Sequence, residues 1–288
     1  MRAGITILPE YRWTEAKPKW QAAERYGFAS AWTFDHVAWT PLSDGPWFSA
    51  VPTLTLAAAV TSRIELGMLV ASPNFRHPIP FARELTALDD VSDGRFTLGV
   101  GAGGQGGYDT KVFGGTNLVR SPSARYAEFV ELLDLLLTRD KVTYNGEYYR
   151  AANARNLPGC VQRPRIPFIV AANGPKSLSL AARFGQGWIT TGTRHDTLDN
   201  WWKSLAELSA RLDDTLDDAP NFRRILQTDA APVYSLSSTE CYRDFLGRAE
   251  ALGFTDMAAP WPRESGPFTG NEDILEAVAT DILPTLHQ

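Results

Sequence analysis

Asp35 and His36 stand together directly after a short apolar run, Ser30 to Phe34. An imidazole titrates near neutral pH, so His36 is a candidate general acid or base, and the adjacent carboxylate can accept hydrogen bonds from a ligand. The same pair also reads as a helix-capping aspartate beside a structural histidine. A second candidate is Gly174-Pro175-Lys176-Ser177. Proline suits the first position of a helix. The unpaired amides of Lys176 and Ser177, with the helix dipole behind them, would then face a phosphate. By spacing alone these residues equally make an ordinary helix start. A third candidate is the stretch from Gly99 to Gly107, which holds six glycines. Such density lets backbone approach a ligand closely. It contains Gly99-x-Gly101-x-x-Gly104, a formal match to the dinucleotide fingerprint. That fingerprint needs a helix opening at the glycines, and no helical pattern begins before Ser123, so a Rossmann reading is rejected.

Other chemistries lack their residues. His36, His77, His195 and His287 show no HxH or HExxH spacing, and Cys160 and Cys241 lie far apart without CxxC spacing. No metal site and no disulfide framework is expected. His77 precedes Pro78 and reads as a loop end; His195 and His287 are given no role. There is no GxSxG nucleophile elbow and no evident carboxylate pair for glycoside hydrolysis. The chain carries 28 basic and 33 acidic residues, a net charge of −5, with no basic tract. Nucleic acid is therefore not an expected partner. No apolar run approaches the roughly 20 residues of a membrane span. Met1 leads straight into a strand-like segment without a signal peptide, and the expectation is a cytoplasmic protein.

The elements that must position these residues alternate between strand and helix, the pattern of an α/β fold with a parallel sheet. The spacing predicts strands at 4–8, 30–34, 64–70, 96–100, 166–171, 188–191, 224–228 and 256–259. It predicts helices at 15–26 (capped by Thr14), 49–60, 78–91, 123–137, 175–184, 198–212, 239–252 and 273–283. Eight strands and eight helices point to one closed (β/α)₈ barrel spanning residues 1–288 rather than an open sheet. Its site would then be built by loops at the strands' C-terminal ends. The stretch 139–165 is an irregular insertion. Within it, Asn145-Gly146 predicts a two-residue hairpin turn between strands 142–144 and 147–149. Nine tryptophans serve equally as core or as walls around a planar ligand.

Several motifs resemble the luciferase-like monooxygenase family. They are Ala22-Ala23-Glu24-x-x-Gly27-Phe28 with Trp32 and Asp35-His36, Thr61-Ser62-Arg63-Ile64-Glu65-Leu66-Gly67, Arg76-His77-Pro78, and Ser92-Asp93-Gly94-Arg95-Phe96-Thr97-Leu98-Gly99-Val100-Gly101. Ala171-Ala172-Asn173-Gly174-Pro175 followed by Gly187-Trp188 continues the likeness, which thins after about residue 190. The resemblance implies a bacterial-luciferase-like TIM barrel, often dimeric, that binds coenzyme F420 or FMN. Asp35 and His36 would meet the ring. Leu69-Val70 would carry a bulge, often a non-prolyl cis peptide, that backs it. Ser72 would donate to the cofactor, and Ala102 and Gly103 would line it. Asn173, Gly174, Lys176 and Ser177 would hold its side chain and phosphate. One departure stands out. Sugar-phosphate dehydrogenases of the F420 branch place a proton-donating Glu after the Gly-x-Gly, where this chain has Gly104 and then Gln105.

The leading expectation is an F420-dependent oxidoreductase, working as a reductase on a small organic substrate. His36 would assist proton transfer, and Trp39, Trp47, Phe75 and Tyr108 would wall the substrate pocket. The alternatives are an FMN-dependent monooxygenase using O₂ and a flavin-binding relative without catalysis.

Overall fold

Strand β1 (Arg2–Thr6) and helix α1 (Trp13–Arg25) form the first of a series of β/α units in a computed structural model. It describes residues 1–114, 120–216 and 219–286; His287 lies outside them. There follow β2 (Ser30–Thr33), α2 (Ala50–Val60), β3 (Glu65–Ala71), α3 (Pro78–Val91) and β4 (Phe96–Val100). A short helix α4 (Tyr108–Lys111) and the long α5 (Pro122–Thr138) lead to a separate hairpin of β5 (Lys141–Asn145) and β6 (Arg150–Arg155). The series resumes with β7 (Phe168–Ala171), α6 (Pro175–Phe184), β8 (Gly187–Thr190), α7 (Leu198–Asp213) and β9 (Arg223–Gln227). It ends with α8 (Thr239–Ala251), β10 (Asp256–Pro260), α9 (Glu272–Asp281) and α10 (Leu283–Leu286). Eight parallel strands close in the order β1-β10-β9-β8-β7-β4-β3-β2, the expected barrel.

Alternation along each strand divides the apolar residues between two cores. Ala31 of β2 joins the layer between sheet and helices. Trp32 and Phe34 point inward with Leu69, Ile169, Ile189 and Ile225. Trp32 fits only because its neighbours are small: a Cβ at Gly67 would fall 2.2 Å from its ring, and one at Gly4 would fall 3.0 Å from Nε1. The indole N–H donates to Ser30 Oγ at 2.8 Å, so burial strands no donor.

The barrel floor is ionic. Arg2, Glu65, Arg223 and Asp256 begin β1, β3, β9 and β10. Arg223 reaches Glu65 and Asp256 at 2.6 Å each, and Arg2 reaches them at 2.6 and 3.1 Å. Burial alone would raise the Glu65 carboxyl, but Arg223 and then Arg2 hold it below the usual range.

Three local expectations need correction. Helix α1 starts one residue before Thr14, with Arg12 at the N-cap and no side-chain cap. Helix α4 falls inside the stretch that showed no helical pattern before Ser123. The hairpin is wider than a two-residue turn, since β6 starts only at Arg150, and neither Asn145 nor Gly146 has positive φ. The cause lies in α5. The Glu128 carboxylate accepts from the amides of Glu147, Tyr148 and Tyr149 at 2.8–3.1 Å and so organises a four-residue loop.

Candidate active site

The loop after β2 is held from two sides. Asp35 is buried, and its carboxylate accepts from Arg76 Nε at 3.1 Å and Nη2 at 2.7 Å. Arg76 also reaches Glu84 at 2.8 Å and lies over the rings of Phe75 and Phe81. Both Asp35 oxygens are thus engaged by Arg76, which ties the loop after β2 to the one after β3. His36 Nδ1 lies 2.6 Å from Asp109 Oδ2, while Asp109 Oδ1 accepts from the Val37 amide at 2.8 Å. A carboxylate facing Nδ1 places the proton there and leaves Nε2 of the neutral ring as an acceptor. The Trp47 indole donates to the His36 carbonyl at 3.1 Å.

Strand β3 is irregular next to this loop. Its pairing with β4 shifts register between Met68 and Ala71, and the Leu69–Val70 peptide is cis. Glycines on β4 make room for the irregularity. A Cβ at Gly99 would lie 2.3 Å from Met68 O, and one at Gly101 would lie 2.6 Å from Val70 Cγ2. Gly103 has φ +72°, and its Cβ would lie 2.4 Å from Asn74 Nδ2 and 2.8 Å from Ser72 Oγ. Gly103→Ala should therefore cost about 1–3 kcal/mol through the left-handed backbone alone. Urea unfolding checks this; an unchanged midpoint would show that the loop yields freely.

Three adjoining cavities that share lining residues form a cleft across the barrel mouth. Its outer part, about 810 Å³, lies between the start of α5 and the length of α6 and includes Ala102, Gly174, Lys176, Ser177 and Arg183. Its middle part, about 370 Å³, shares Ala102, Gly174 and Ser177 with the outer part and adds Val70, Asn173 and Gln227. Its inner part, about 180 Å³, shares Val70 and Gln227 and adds His36, Trp39, Leu69 and Ser72. Gly103, Gly104 and Asp229 also line the inner part. The Asn173 carboxamide is fixed by Thr190 at 2.7 Å and the Gly192 carbonyl at 3.2 Å. Ser177 Oγ, 2.9 Å from the Gly174 carbonyl, closes the first turn of α6.

The cleft thus gathers His36, Trp39, Leu69, Val70, Ser72, Ala102, Gly103, Asn173, Gly174, Lys176 and Ser177. Four expected residues stand outside its lining. They are Asp35, engaged by Arg76; Trp47, which braces His36; Phe75, packed under the Arg76 guanidinium; and Tyr108, whose amide donates to Thr40 Oγ1 at 3.1 Å. Trp39 does form a wall, stacked on Phe268 with ring centroids 5.8 Å apart. Three polar residues were not anticipated. Asp109 sits on the unforeseen α4. Gln227 ends the seventh barrel strand and Asp229 follows it, where the rule that sites form at strand C-termini would have found them.

The luciferase-like monooxygenase profile matches residues 2–261. The chain belongs to this family. Among its luciferase-like relatives, an F420-dependent glucose-6-phosphate dehydrogenase of Beutenbergia cavernae is 34% identical over 201 residues, 68% of this chain and 58% of that one. An F420-dependent hydroxymycolic acid dehydrogenase of Mycobacterium tuberculosis is 35% identical over 174 residues, 59% of this chain and 46% of that one. This luciferase-like chain therefore spans about half to three-fifths of the length of these relatives. The coenzyme F420-dependent tetrahydromethanopterin reductase of Methanopyrus kandleri superposes with a TM-score of 0.79 at 20% identity, covering 99% of both chains. That likeness establishes the shared luciferase-like barrel.

Proposed function

We propose that this protein is an F420-dependent oxidoreductase acting on a small organic molecule. The observation that carries the proposal is the shape and polarity of the cleft. It runs from a mostly apolar outer end edged by Lys176, Arg183 and the start of α6, past the Val70 wall to an inner end that holds His36, Ser72, Gln227 and Asp229. A long ligand with an anionic tail and a planar head fits that layout. The names of the curated relatives favour the deazaflavin over FMN.

Lys176, Ser177 and the first amides of α6 would hold the phosphate. Leu69 and Val70 would back the ring, and Ala102, Gly103 and Ser72 would lie along it. Bound there, F420 would supply hydride chemistry. His36, oriented by Asp109, would present Nε2 to the reacting atoms. Gly104 contributes no acid, which separates this site from the sugar-phosphate dehydrogenases that place a Glu there. The substrate class favoured is one with a polarised double bond, an enone or an imine.

Separate titrations with F420 and FMN, following quenching of each cofactor's fluorescence, test the assignment. F420 should bind tightly and FMN weakly, and Lys176→Ala should weaken F420 binding by about tenfold, one charge-assisted contact. The reverse preference would move the protein to the FMN monooxygenases. Binding of neither would sink the cofactor reading.

The protein is further proposed to be a single-domain, cytoplasmic homodimer. Family analogy supports the dimer, and the exposed Phe48, Leu56 and Val91 offer it apolar contacts. Among the described residues, no helix is long and apolar enough to cross a membrane. Light scattering on the purified protein decides the oligomeric state.

A further inference from the structure

Asp229 occupies an unusual place. It lies in the single 3₁₀ turn Thr228–Ala230 that follows β9. The residue as a whole is half-buried, yet its Oδ1 is sealed from solvent and has no hydrogen-bond partner. Nearly all other buried carboxylates here are engaged: Asp35 by Arg76, Asp89 by Gln162 and two amides, Asp256 by Arg223. An orphaned buried acceptor is costly, and folds retain one where a ligand completes it. The inner cavity that Asp229 lines holds just one other titratable side chain, His36. The remaining walls are apolar rings and chains, glycine backbone, Ser72 and Gln227.

We infer that Asp229 is the acid–base residue of the reaction, exchanging its carboxyl proton with the substrate atom next to the one that exchanges hydride. The inference rests on the F420 reading and adds the group that Gly104 does not provide. In the reducing direction the Asp229 O–H bond breaks and an H–substrate bond forms. The substrate's π electrons supply that bond as its other carbon gains hydride from reduced F420, and the carboxylate regains a proton from water. In the oxidising direction the carboxylate takes the proton, and the hydride leaves to oxidised F420.

The surroundings suit that task. Burial lifts the Asp229 carboxyl from its ordinary 3.8 to about 6, against the opposing pull of its own amide, the Ala230 amide and His36. A carboxylic acid lifted to about 6 keeps its proton into the mildly acidic range and is a competent donor there. His36 faces it from the loop after β2, with Nδ1 2.6 Å from Asp109 Oδ2, so the two titratable groups of the inner cavity come from different barrel loops. A mainly structural carboxylate would have its lone pairs satisfied inside the protein, as Asp89 does.

Two measurements test the inference, and the first needs no turnover. Dicyclohexylcarbodiimide couples to protonated carboxyls in apolar pockets. Peptide mass mapping should find Asp229 labelled several-fold faster at pH 5.5 than at pH 8, with protection by preloaded F420 and no label in Asp229→Asn. An unlabelled Asp229, or a label indifferent to bound F420, would overturn the proposal. The second uses cyclohex-2-en-1-one as probe substrate with reduced F420. The wild-type rate should fall as pH rises through about 6. Asp229→Asn should be slower by about 10²–10⁴-fold without that limb, and Asp229→Glu should retain the limb. An Asp229→Asn protein with the wild-type rate and limb would overturn the proposal. Failure of the cofactor reading looks different: neither protein quenches F420 fluorescence, and the proposal falls with the reading it rests on.

Discussion

Arg76→Met is expected to lower stability by about 3–5 kcal/mol, because it strands the buried Asp35 carboxylate without a counter-charge. Both partners are shielded: the Asp35 side chain is 1% exposed and that of Arg76 is 12% exposed. The two Arg76–Asp35 contacts form a bidentate fork, the strongest arrangement for this pair. The guanidinium also packs on Phe75 and Phe81, which methionine partly replaces. The double variant Asp35→Asn, Arg76→Met should recover much of the loss, since an amide needs no counter-charge. Urea midpoints for the two single variants and the double decide this. Additive losses would mean the pair is not coupled in the fold. Because Asp35 precedes His36, the single variant should also misplace the imidazole and reduce turnover.

Asp229→Asn is expected to stabilise the protein above neutral pH by about 3 kcal/mol, the free-energy equivalent of a carboxyl moved from 3.8 to about 6. The sign follows from linkage. The folded state holds the proton more tightly than the unfolded chain does. This contribution is therefore complete below about 3.8 and is lost as pH rises through about 6. Asparagine carries no charge at any of these values. The two proteins should match in stability near pH 4, diverge between 4 and 6, and stay a constant interval apart above pH 7. Thermal melts across that range supply the test, and superimposed curves at pH 8 would show the carboxylate solvated after all. A substitution that stabilises the fold while abolishing turnover is the expected mark of a residue kept for chemistry. The floor cluster titrates the other way. Glu65, held low by Arg223 and Arg2, contributes stability above the ordinary carboxylate range that is lost as pH falls through its depressed value.

The barrel was legible because its signals are periodic. Each strand pairs a short apolar run with a glycine or polar break, and eight such runs leave little choice of architecture. Parts of the site were legible for local reasons: Gly174-Pro175 announces a helix start, and the Gly99–Gly104 spacing announces close backbone packing. The roles of Asp35 and Asp109 were not legible. Their partners, Arg76 and His36, lie 41 and 73 residues away in sequence, so no local spacing marks either contact. Asp229 was missed differently. Its place after a barrel strand makes it a candidate, but the feature that singles it out, a buried oxygen without a partner, exists only in three dimensions. Phe75 and Tyr108 show the limit of reading aromatic residues after strands as pocket walls, since side-chain direction depends on a loop path that composition does not specify.

The ionic floor of the barrel has a consequence for how this scaffold can change. Its four charges hold the first residues of β1, β3, β9 and β10, at the opposite end of the strands from the cleft. The parts that keep the strands in register and the parts that choose a substrate are therefore separate sets of residues. A library randomised only in the mouth loops should yield many folded members with altered selectivity. One randomised at the floor should yield few folded members, and those that fold should keep the parent's substrate preference.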